Sequence, residues 1–282
     1  MKTVFIAGAT GYLGRYLVSH FAQAGWQVKA LVRDANRAAD LGAHQLVVAE
    51  ATQPETLSGH FDQVDLVVSS LGITRQKDGL DYWDVDYQAN LNLLEAALAA
   101  GVPHFAYVHV IGAQRMLQVP MVAAKQAFVE RLQAASITST VIAPSGYFSD
   151  MADFLNMAKS GRVWLFADGE LKLNPIHGDD LAQAIVEACT AQRAWLDIGG
   201  PEVLTQNQLA QLAFTAMQRP ARVTHLPDWI RRLLLKVLPL APRSISGPAR
   251  FFLTAMAEDM VGERYGRHRL LDHFKAQLDR QD

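Results

Sequence analysis

Three glycine residues near the N-terminus have the spacing of a phosphate-binding turn. Gly8, Gly11 and Gly14 lie between an apolar run at 4–7 and a stretch in which apolar residues follow helical periodicity. A turn that opens a helix points free backbone N–H groups and the positive end of the helix dipole at one place, which suits a pyrophosphate. The spacing therefore predicts a dinucleotide-binding strand–turn–helix unit, with a plain glycine turn as the alternative.

The residues after the second predicted strand, at 28–32, indicate which dinucleotide is bound. An NAD site usually has a carboxylate here for the ribose 2′-hydroxyl, whereas an NADP site has an arginine for the 2′-phosphate. Arg33 comes first, Asp34 follows, and Arg37 lies near enough in the sequence to approach the same phosphate. This order predicts NADP, and Asp34 keeps NAD as the alternative. The two arginines would have no cofactor role if they only begin a solvated helix.

Strand and helix patterns alternate through the first half of the chain. Because parallel strands buried on both faces are continuous apolar runs, the pattern predicts a doubly wound parallel sheet of the α/β class. Ligands of such sheets bind at the carboxyl ends of the strands. Beyond the first two strands, strands are predicted at 44–49, 64–70, 104–111 and 139–143, and helices at 85–101 and 122–135.

The alternation changes after the sixth predicted strand. We predict a core at 1–146 and a second part at 147–282, which together form one structural unit. The second part is expected to hold the remaining core elements, at about 175–217, and a small C-terminal substrate lobe.

Two helices of the second part have predicted N-caps. Asp179 or Asp180 is expected to cap a helix at 181–191, and Thr205 is expected to cap a helix that runs to about Met217. Both predictions depend on short polar side chains that accept hydrogen bonds from the free N–H groups of a first helical turn.

One segment is strongly basic. Residues 219–250 contain seven Lys or Arg against a single acid, Asp228, and their apolar residues between 229 and 240 follow an amphipathic helical pattern. Such a helix can lie on an anionic membrane surface, and it can equally cover apolar surface of its own protein or a subunit interface. We keep membrane-surface contact through 229–240 and oligomer formation as open alternatives.

Composition excludes several classes of protein. Half of the 282 residues are hydrophobic and the formal net charge is −2, so we expect no general affinity for nucleic acid. The single cysteine, Cys189, excludes an internal disulfide framework and suits a reducing cytoplasm. No apolar run reaches the ~18 residues of a spanning helix, and the first strand begins too early for a signal peptide. The nine histidines are scattered without metal-ligand spacing, so no metal site is predicted.

Six short motifs together resemble one family. They imply membership of the atypical short-chain dehydrogenase/reductase group, in its NmrA-like and isoflavone-reductase-like branch, over roughly residues 1–215. The resemblance implies a Rossmann-type NAD(P)-binding domain with a small lobe over the nicotinamide end. The motifs are AGATGYLG at 7–14, LVRD at 31–34, VDYQANLNLLEAA at 85–97, APSGYFSDM at 143–151, NPIHGDDLA at 174–182 and GGPEVLT at 199–205.

Pattern and resemblance together give a predicted cofactor site for NADP, with NAD as the less favoured ligand. Most of its members follow a strand end or belong to the glycine turn. They are Gly8, Thr10, Gly11, Tyr12, Leu13, Gly14, Arg33, Glu50, Ala51, Ser70, Leu71, Gly72, Lys125 and Tyr147.

The resemblance also identifies candidate catalytic residues. Active members of the wider superfamily use a Tyr-x-x-x-Lys pair, in which the lysine lowers the pKa of the tyrosine and holds the nicotinamide ribose. Lys125 stands at the lysine position, but Met121 replaces the tyrosine and His109 stands at the expected serine position. Methionine cannot transfer a proton, so the usual acid is absent.

Three functions are compatible with a site that has the lysine but lacks the usual tyrosine. The first is a reductase of a small apolar carbonyl or conjugated alkene, in which Lys125 donates the proton, or holds the ribose while His109 donates. The second is a catalytically silent NAD(P)-binding sensor of the NmrA-like type. The third is a membrane-associated accessory protein, which the basic amphipathic segment favours.

Overall fold

The structure is a computed structural model that describes residues 1–73 and 79–279. The side chains of Arg37 and Arg243 are also outside the description, so the predicted contact of Arg37 with a 2′-phosphate is not addressed. Two compact units are distinguished, one formed by 1–143 with 182–196 and the other by 144–181 with 197–282.

The main sheet has the strand order of a doubly wound fold. Eight strands follow the order β12-β9-β6-β5-β4-β1-β2-β3, and the pairs among β1 to β6 are parallel. The order reverses between β1 and β4, where Rossmann-type sheets bind their ligands. The predicted fold class is therefore confirmed. The strands are β1 Thr3–Ala7, β2 Gln27–Val32, β3 Gln45–Val48, β4 Leu66–Ser69, β5 His104–Val108, β6 Thr138–Pro144, β7 Val163–Phe166, β8 Lys172–Leu173, β9 Trp195–Gly199, β10 Leu204–Thr205, β11 Val223–Leu226 and β12 Glu263–Arg264.

Helices follow most strands of the main sheet. A π-helix, Trp83–Ala89, precedes α2, and one-turn 3-10 segments occur at Asn36–Ala38, Pro54–Leu57, Ala113–Arg115, Phe148–Met151 and Leu238–Leu240. The α-helices are α1 Tyr12–Gln23, α2 Asn90–Ala99, α3 Pro120–Ala134, α4 Ala152–Lys159, α5 Gly178–Thr190, α6 Gln206–Ala216, α7 Asp228–Val237, α8 Arg243–Ala255 and α9 Leu270–Asp279. No described helix combines the length and the apolar character that crossing a membrane requires.

The centre of the first unit is mostly apolar. Strands β1, β4 and β5 are buried along their whole length, as expected for parallel strands covered on both faces. Aromatic rings fill the space beside them, with Phe5 and Phe61 stacked at 4.5 Å and Phe105 and Phe128 at 5.9 Å between ring centroids. This packing fixes the strand ends from which the candidate site is built.

Two sequence predictions are corrected. The fifth strand ends at Val108 rather than at 111, because the chain turns at Gly112, whose φ is +67°. Helix α5 begins at Gly178, so Asp179 and Asp180 lie inside its first turn and neither is the N-cap. The Asp180 carboxylate instead accepts hydrogen bonds from the backbone N–H groups of residues 267 and 268, at 3.1 and 3.0 Å.

The predicted cap of α6 is confirmed. Thr205 Oγ1 accepts a hydrogen bond from the Gln208 N–H at 3.2 Å, and Gln208 Oε1 accepts one from the Thr205 N–H at 2.8 Å. This reciprocal capping box satisfies two N–H groups that would otherwise have no partner at the helix start.

Candidate functional site

The glycine turn joins β1 to α1 in a shape that excludes side chains. Gly8 has a φ of +82°, and its carbonyl accepts a hydrogen bond from the Gly11 N–H at 3.0 Å. A Cβ atom added at Gly14 would lie 2.0 Å from the Gly8 carbonyl oxygen, closer than real atoms approach. The turn therefore needs glycine at its first and last positions for conformational and steric reasons.

The start of α1 can accommodate an anion. Gly11 is the N-cap and has no side chain to bind the N–H groups of the first turn, and both Thr10 and Gly11 are exposed. Tyr12 and Leu13 begin the helix, so their N–H groups lie at its positive end. A diphosphate fits this donor set because it needs several N–H donors and close approach to the backbone.

The loop after β4 is tied directly to the glycine turn. Ser70 donates hydrogen bonds to the Ala7 carbonyl from its backbone N–H, at 3.0 Å, and from Oγ, at 3.1 Å. A Cβ atom at Gly8 would lie 2.7 Å from Ser70 Oγ. The structure thus brings the predicted residues Ser70, Leu71 and Gly72 together with the glycine turn, at the ends of neighbouring strands.

Arg33 occupies the expected position at the end of β2. It directly follows Val32, the last residue of the strand, and it is exposed. The neighbouring Asp34 carboxylate accepts a hydrogen bond from the Asn36 N–H at 2.9 Å, which engages one of its oxygens in the local turn. Arg33 therefore presents its charge to solvent, while Asp34 has a structural partner.

The end of β3 carries two further residues of the predicted cofactor site, Glu50 and Ala51, in a tight turn. The Glu50 N–H donates to Thr56 Oγ1 at 3.0 Å, and the Ala51 carbonyl accepts a hydrogen bond from Asn92 Nδ2 at 2.8 Å. Ala51 is buried and Glu50 is partly exposed. These contacts hold the turn in place through the backbone atoms of Glu50 and Ala51. The Glu50 carboxylate takes part in neither contact.

Lys125 on α3 reaches a buried carboxylate. Its Nζ lies 3.2 Å from Asp86 Oδ1 and donates hydrogen bonds to Tyr107 Oη and to the Val108 carbonyl, each at 3.3 Å. The Lys125 side chain is 13% exposed and that of Asp86 is fully buried. Burial raises the pKa of Asp86, and the Lys125 charge opposes this rise. The pair therefore places one ammonium, with limited access to solvent, over the ends of β4 and β5.

Gly72 connects this ion pair to the glycine turn. A Cβ atom at Gly72 would lie 2.6 Å from Asp86 Oδ1 and 3.0 Å from Lys125 Nζ, and the Ile73 N–H donates to Asp86 Oδ2 at 3.2 Å. The backbone after β4 consequently contacts the glycine turn at Ser70 and the ion pair two residues later. Lys125 and the glycine turn thus belong to one site at the switch in strand order.

Asp86 and Asn90 belong to the candidate site by their contacts, and the sequence analysis did not predict either of them. Asp86 lies in the π-helix, a rare element that often occurs at functional sites. Asn90 Nδ2 donates to the carbonyls of Val85 and Asp86, both at 3.1 Å, and Asn90 Oδ1 accepts a hydrogen bond from Ser69 Oγ. The available signal was the spacing of two polar residues on a helix face that continues with buried Leu93 and Leu94.

The phenol nearest to Lys125 is not placed to act on a substrate. Tyr107 is fully buried, and burial raises its pKa to about 12. Its hydroxyl lies 3.4 Å from the Asp86 carbonyl, to which it donates, and its ring packs edge-on against Phe128. Met121, at the position of the usual tyrosine, is buried as well. Tyr107 therefore supports the ion pair and does not replace the missing acid.

His109 is shielded from solvent and hydrogen-bonded within the protein. It is buried, its Nε2 is 3.1 Å from Gln126 Oε1, and its ring packs edge-on against Trp195. Burial and the nearby charge of Lys125 lower its pKa to about 4. An imidazole that is neutral at physiological pH and shielded from solvent is poorly suited to donate a proton.

Two remaining features belong to the second unit. Tyr147 precedes the 3-10 segment Phe148–Met151, and its N–H donates to Asp150 Oδ2 at 3.3 Å. This hydrogen bond involves no other residue of the predicted cofactor site, so the cofactor contact of Tyr147 stays a prediction.

Asp179, Asp180 and His268 form a group whose ligand atoms lie within 4.8 Å of one another. Because Asp180 already accepts hydrogen bonds from the backbone of residues 267 and 268, this group stabilises the segment before α9.

Curated relatives include reductases and assembly factors. The chain is 30% identical to the chloroplastic divinyl chlorophyllide a 8-vinyl-reductase of Zea mays over 259 residues, which cover 84% of this chain and 64% of that protein. It is 25% identical to the photosystem II assembly factor Ycf39 of Guillardia theta over 232 residues, covering 80% of this chain and 73% of the relative. The chain spans less than two thirds of the length of the vinyl reductases, at 62–66%.

Solved structures share the whole fold at low sequence identity. The NADPH-dependent quinone oxidoreductase QOR2 of Escherichia coli, complexed with NADPH, superposes with a TM-score of 0.78 at 18% identity, covering 98% of this chain and 99% of that chain. An isoflavone reductase superposes with a TM-score of 0.74 at 18% identity over 98% and 99% of the two chains. These likenesses establish the fold.

The family is established from sequence. The model of the NmrA-like family matches residues 1–247. The match covers the glycine turn, the loop after β4 and the Lys125–Asp86 pair, and it confirms the resemblance indicated by the six motifs. The chain belongs to the NmrA-like family.

Proposed function

We propose that this chain binds NADP(H) and reduces a small, mostly apolar carbonyl or conjugated alkene. The observation that carries the proposal is the loop after β4, which contacts the glycine turn through Ser70 and the Lys125–Asp86 pair through Gly72. One stretch of backbone therefore joins an anion-binding helix start to a cation that could meet developing negative charge.

The dinucleotide would be held by residues at three strand ends. The N–H groups of Tyr12 and Leu13 would bind the diphosphate, and Arg33 would bind the 2′-phosphate through charge-assisted hydrogen bonds. Lys125 Nζ would hold the nicotinamide ribose. When bound, NADPH supplies the hydride for the reduction.

Lys125 would also donate the proton that the reduced substrate needs. Its ammonium would stabilise negative charge that develops on the substrate and donate a proton from Nζ, and its partial exposure would allow a proton to return from solvent. Asp86 would fix the position of that ammonium and balance its charge. Neither Tyr107 nor His109 suits the donor role. Burial raises the pKa of the Tyr107 phenol to about 12, which makes it a weak acid without access to substrate, and the pKa of buried His109 is lowered to about 4, so the protonated imidazolium that could donate is absent at physiological pH.

The comparisons support this reaction class. The maize relative is described as a vinyl reductase, and the Escherichia coli structure as an NADPH-dependent quinone oxidoreductase. A vinyl group is an alkene and a quinone is a conjugated dicarbonyl, so both belong to the kinds of acceptor named in the proposal. For this chain we accordingly propose an acceptor with a carbonyl group or a conjugated alkene.

A nucleotide-binding sensor without turnover is the second candidate. It is favoured by Met121, which cannot donate a proton, and by His109, whose contacts are structural. A sensor would retain the glycine turn and Arg33 and need no proton donor. The two functions therefore differ in turnover and not in nucleotide affinity.

The test combines nucleotide binding and turnover on the full chain. NADPH and NADH are titrated into the purified protein, and NADPH oxidation is then followed against a panel of quinones, enones and aldehydes. Binding with preference for NADPH and oxidation by at least one compound would support the reductase. Binding without oxidation by any compound would favour the sensor, and absence of NADPH binding would refute both.

A further inference from the structure

Helix α7 exposes an apolar surface in the second unit. We define the α7 surface by Trp229, Leu233, Leu234, Val237 and Leu240. Trp229 is 63% exposed, Leu233 50%, Val237 45% and Leu240 89%. Every residue of α7 is described, and none of them is buried. Contiguous exposure of large apolar side chains usually marks a contact with a partner or a membrane.

The α7 surface is not the side by which the helix is attached to its own unit. Trp229, Leu233 and Val237 are spaced four residues apart and share one face of the helix. Arg231 points elsewhere, is only 11% exposed, and donates to the Leu253 carbonyl at 3.2 Å and to Asp228 Oδ1 at 2.6 Å. The helix is therefore held in place on a polar side, while its apolar stripe faces outward.

Positive charge lies beside this stripe. Arg232 and Lys236 are exposed and follow the stripe at the same four-residue spacing, and Arg219 and Arg222 precede the helix as exposed residues. The only acid between 219 and 250 is Asp228, whose carboxylate already accepts hydrogen bonds from Arg231 and Arg232, both at 2.6 Å. Within 219–250 the stripe is consequently flanked by net positive charge, because the single carboxylate of Asp228 faces several cations.

We propose that the α7 surface docks on an anionic lipid bilayer, with α7 lying in the plane of the headgroups. Leucine and valine side chains would enter the acyl boundary, Trp229 would sit at the headgroup level, and Arg232 and Lys236 would contact lipid phosphates. A second copy of this chain is the less suitable occupant, because a self-contact would bring the same cations together. The proposal concerns location and does not depend on nucleotide binding or turnover.

Vesicle cosedimentation of the full chain tests the proposal. We expect the wild-type protein to sediment with vesicles of phosphatidylcholine and phosphatidylglycerol, and to bind vesicles of phosphatidylcholine alone at least about tenfold more weakly. Leu233→Glu should abolish binding, and the double variant Arg232→Glu/Lys236→Glu should weaken it about tenfold or more. Val261→Glu is the matched control, because Val261 is also an exposed apolar residue but lies outside the α7 surface.

Three results would overturn the proposal. They are absence of wild-type sedimentation with the anionic vesicles, equal binding by Leu233→Glu and Val261→Glu, and a wild-type dimer that Leu233→Glu dissociates without any vesicle binding. Circular dichroism of each variant verifies the fold, and the exposed positions make loss of folding an unexpected result.

Discussion

The molecule contains two clusters in which basic side chains meet one aspartate, and they behave in opposite ways. At Asp86 the Lys125 ammonium, the cation paired with it among the described residues, lies 3.2 Å away, and burial still raises the pKa of the carboxyl group. At Asp228 two arginines approach to 2.6 Å and their hydrogen bonds lower the pKa. The closer contacts occur where solvent already stabilises the charges. Burial, and not distance, therefore decides how much each pair affects stability and function.

The largest expected difference between the clusters is in stability. Asp86→Ala leaves the Lys125 ammonium without its carboxylate and should lower the free energy of unfolding by about 3–5 kcal/mol. Asp228→Ala removes one exposed pair, with Arg232, and one partly buried pair, with Arg231, at a carboxylate that solvent still reaches, and should cost less, about 1 kcal/mol. Equilibrium unfolding in urea measures both values. Equal losses in the two variants would contradict the distinction by burial.

Turnover should separate the role of Lys125 from its contribution to stability. Lys125→Met removes the proposed proton donor, so NADPH oxidation should fall by about 10²- to 10⁴-fold while NADPH still binds. Asp86→Asn/Lys125→Met removes both charges and should recover stability without recovering turnover. Lys275→Met changes an exposed lysine of α9 and serves as the control. Unchanged turnover in Lys125→Met would remove this residue from the mechanism.

The free energy of unfolding should depend on pH because His109 is buried near Lys125 and its pKa is lowered in the folded protein. Its pKa is about 4 in the folded protein, against 6.5 for the unperturbed group, so the unfolded chain binds a proton first as the pH falls. Stability is therefore complete above pH 6.5 and declines between pH 6.5 and 4, by up to about 3 kcal/mol for this residue.

Urea unfolding across this pH range compares the wild type with His109→Gln and with His225→Gln. The first variant should flatten the decline, and the second should not, because His225 is exposed. A decline of the same size in wild type and His109→Gln would show that other groups cause it.

A smaller effect is expected at Arg33, which is exposed like Arg232 of α7 but has a proposed ligand. Arg33→Ala should weaken NADPH binding by about 1–3 kcal/mol and leave NADH binding nearly unchanged. Arg219→Ala, at an exposed arginine of the second unit, is the control for charge alone. Calorimetric titration of both nucleotides checks this expectation. If NADPH and NADH affinities fell together, Arg33 would not bind the 2′-phosphate.

The sheet could be predicted because buried parallel strands are continuous in sequence. In the predicted strand at 64–70 the central residues 66–68 are apolar on both faces, so their pattern does not depend on knowing their neighbours. The glycine turn could also be predicted from the sequence. The exclusion of a side chain at Gly14 is caused by the nearby Gly8 carbonyl, so it depends only on local backbone geometry. Capping by Thr205 was predictable for the same reason, because both partners lie within one turn.

The ion pair could be predicted only in part. Lys125 was found through the family resemblance, but its partner lies 39 positions earlier in a π-helix that the helical pattern did not distinguish from α2. The error at Asp180 has a similar origin, because its hydrogen-bond partners are at 267 and 268, far away in sequence. Long-range polar contacts carry no local periodicity, so the sequence pattern does not reveal them.

The most direct test of the proposed site is a crystal structure of the full chain with NADP⁺. We expect the diphosphate on the N–H groups at the start of α1, the 2′-phosphate at Arg33, and the nicotinamide ribose within hydrogen-bond distance of Lys125 Nζ. A nucleotide bound elsewhere, or a ribose that leaves the Lys125–Asp86 pair without contact, would contradict the assignment of this site.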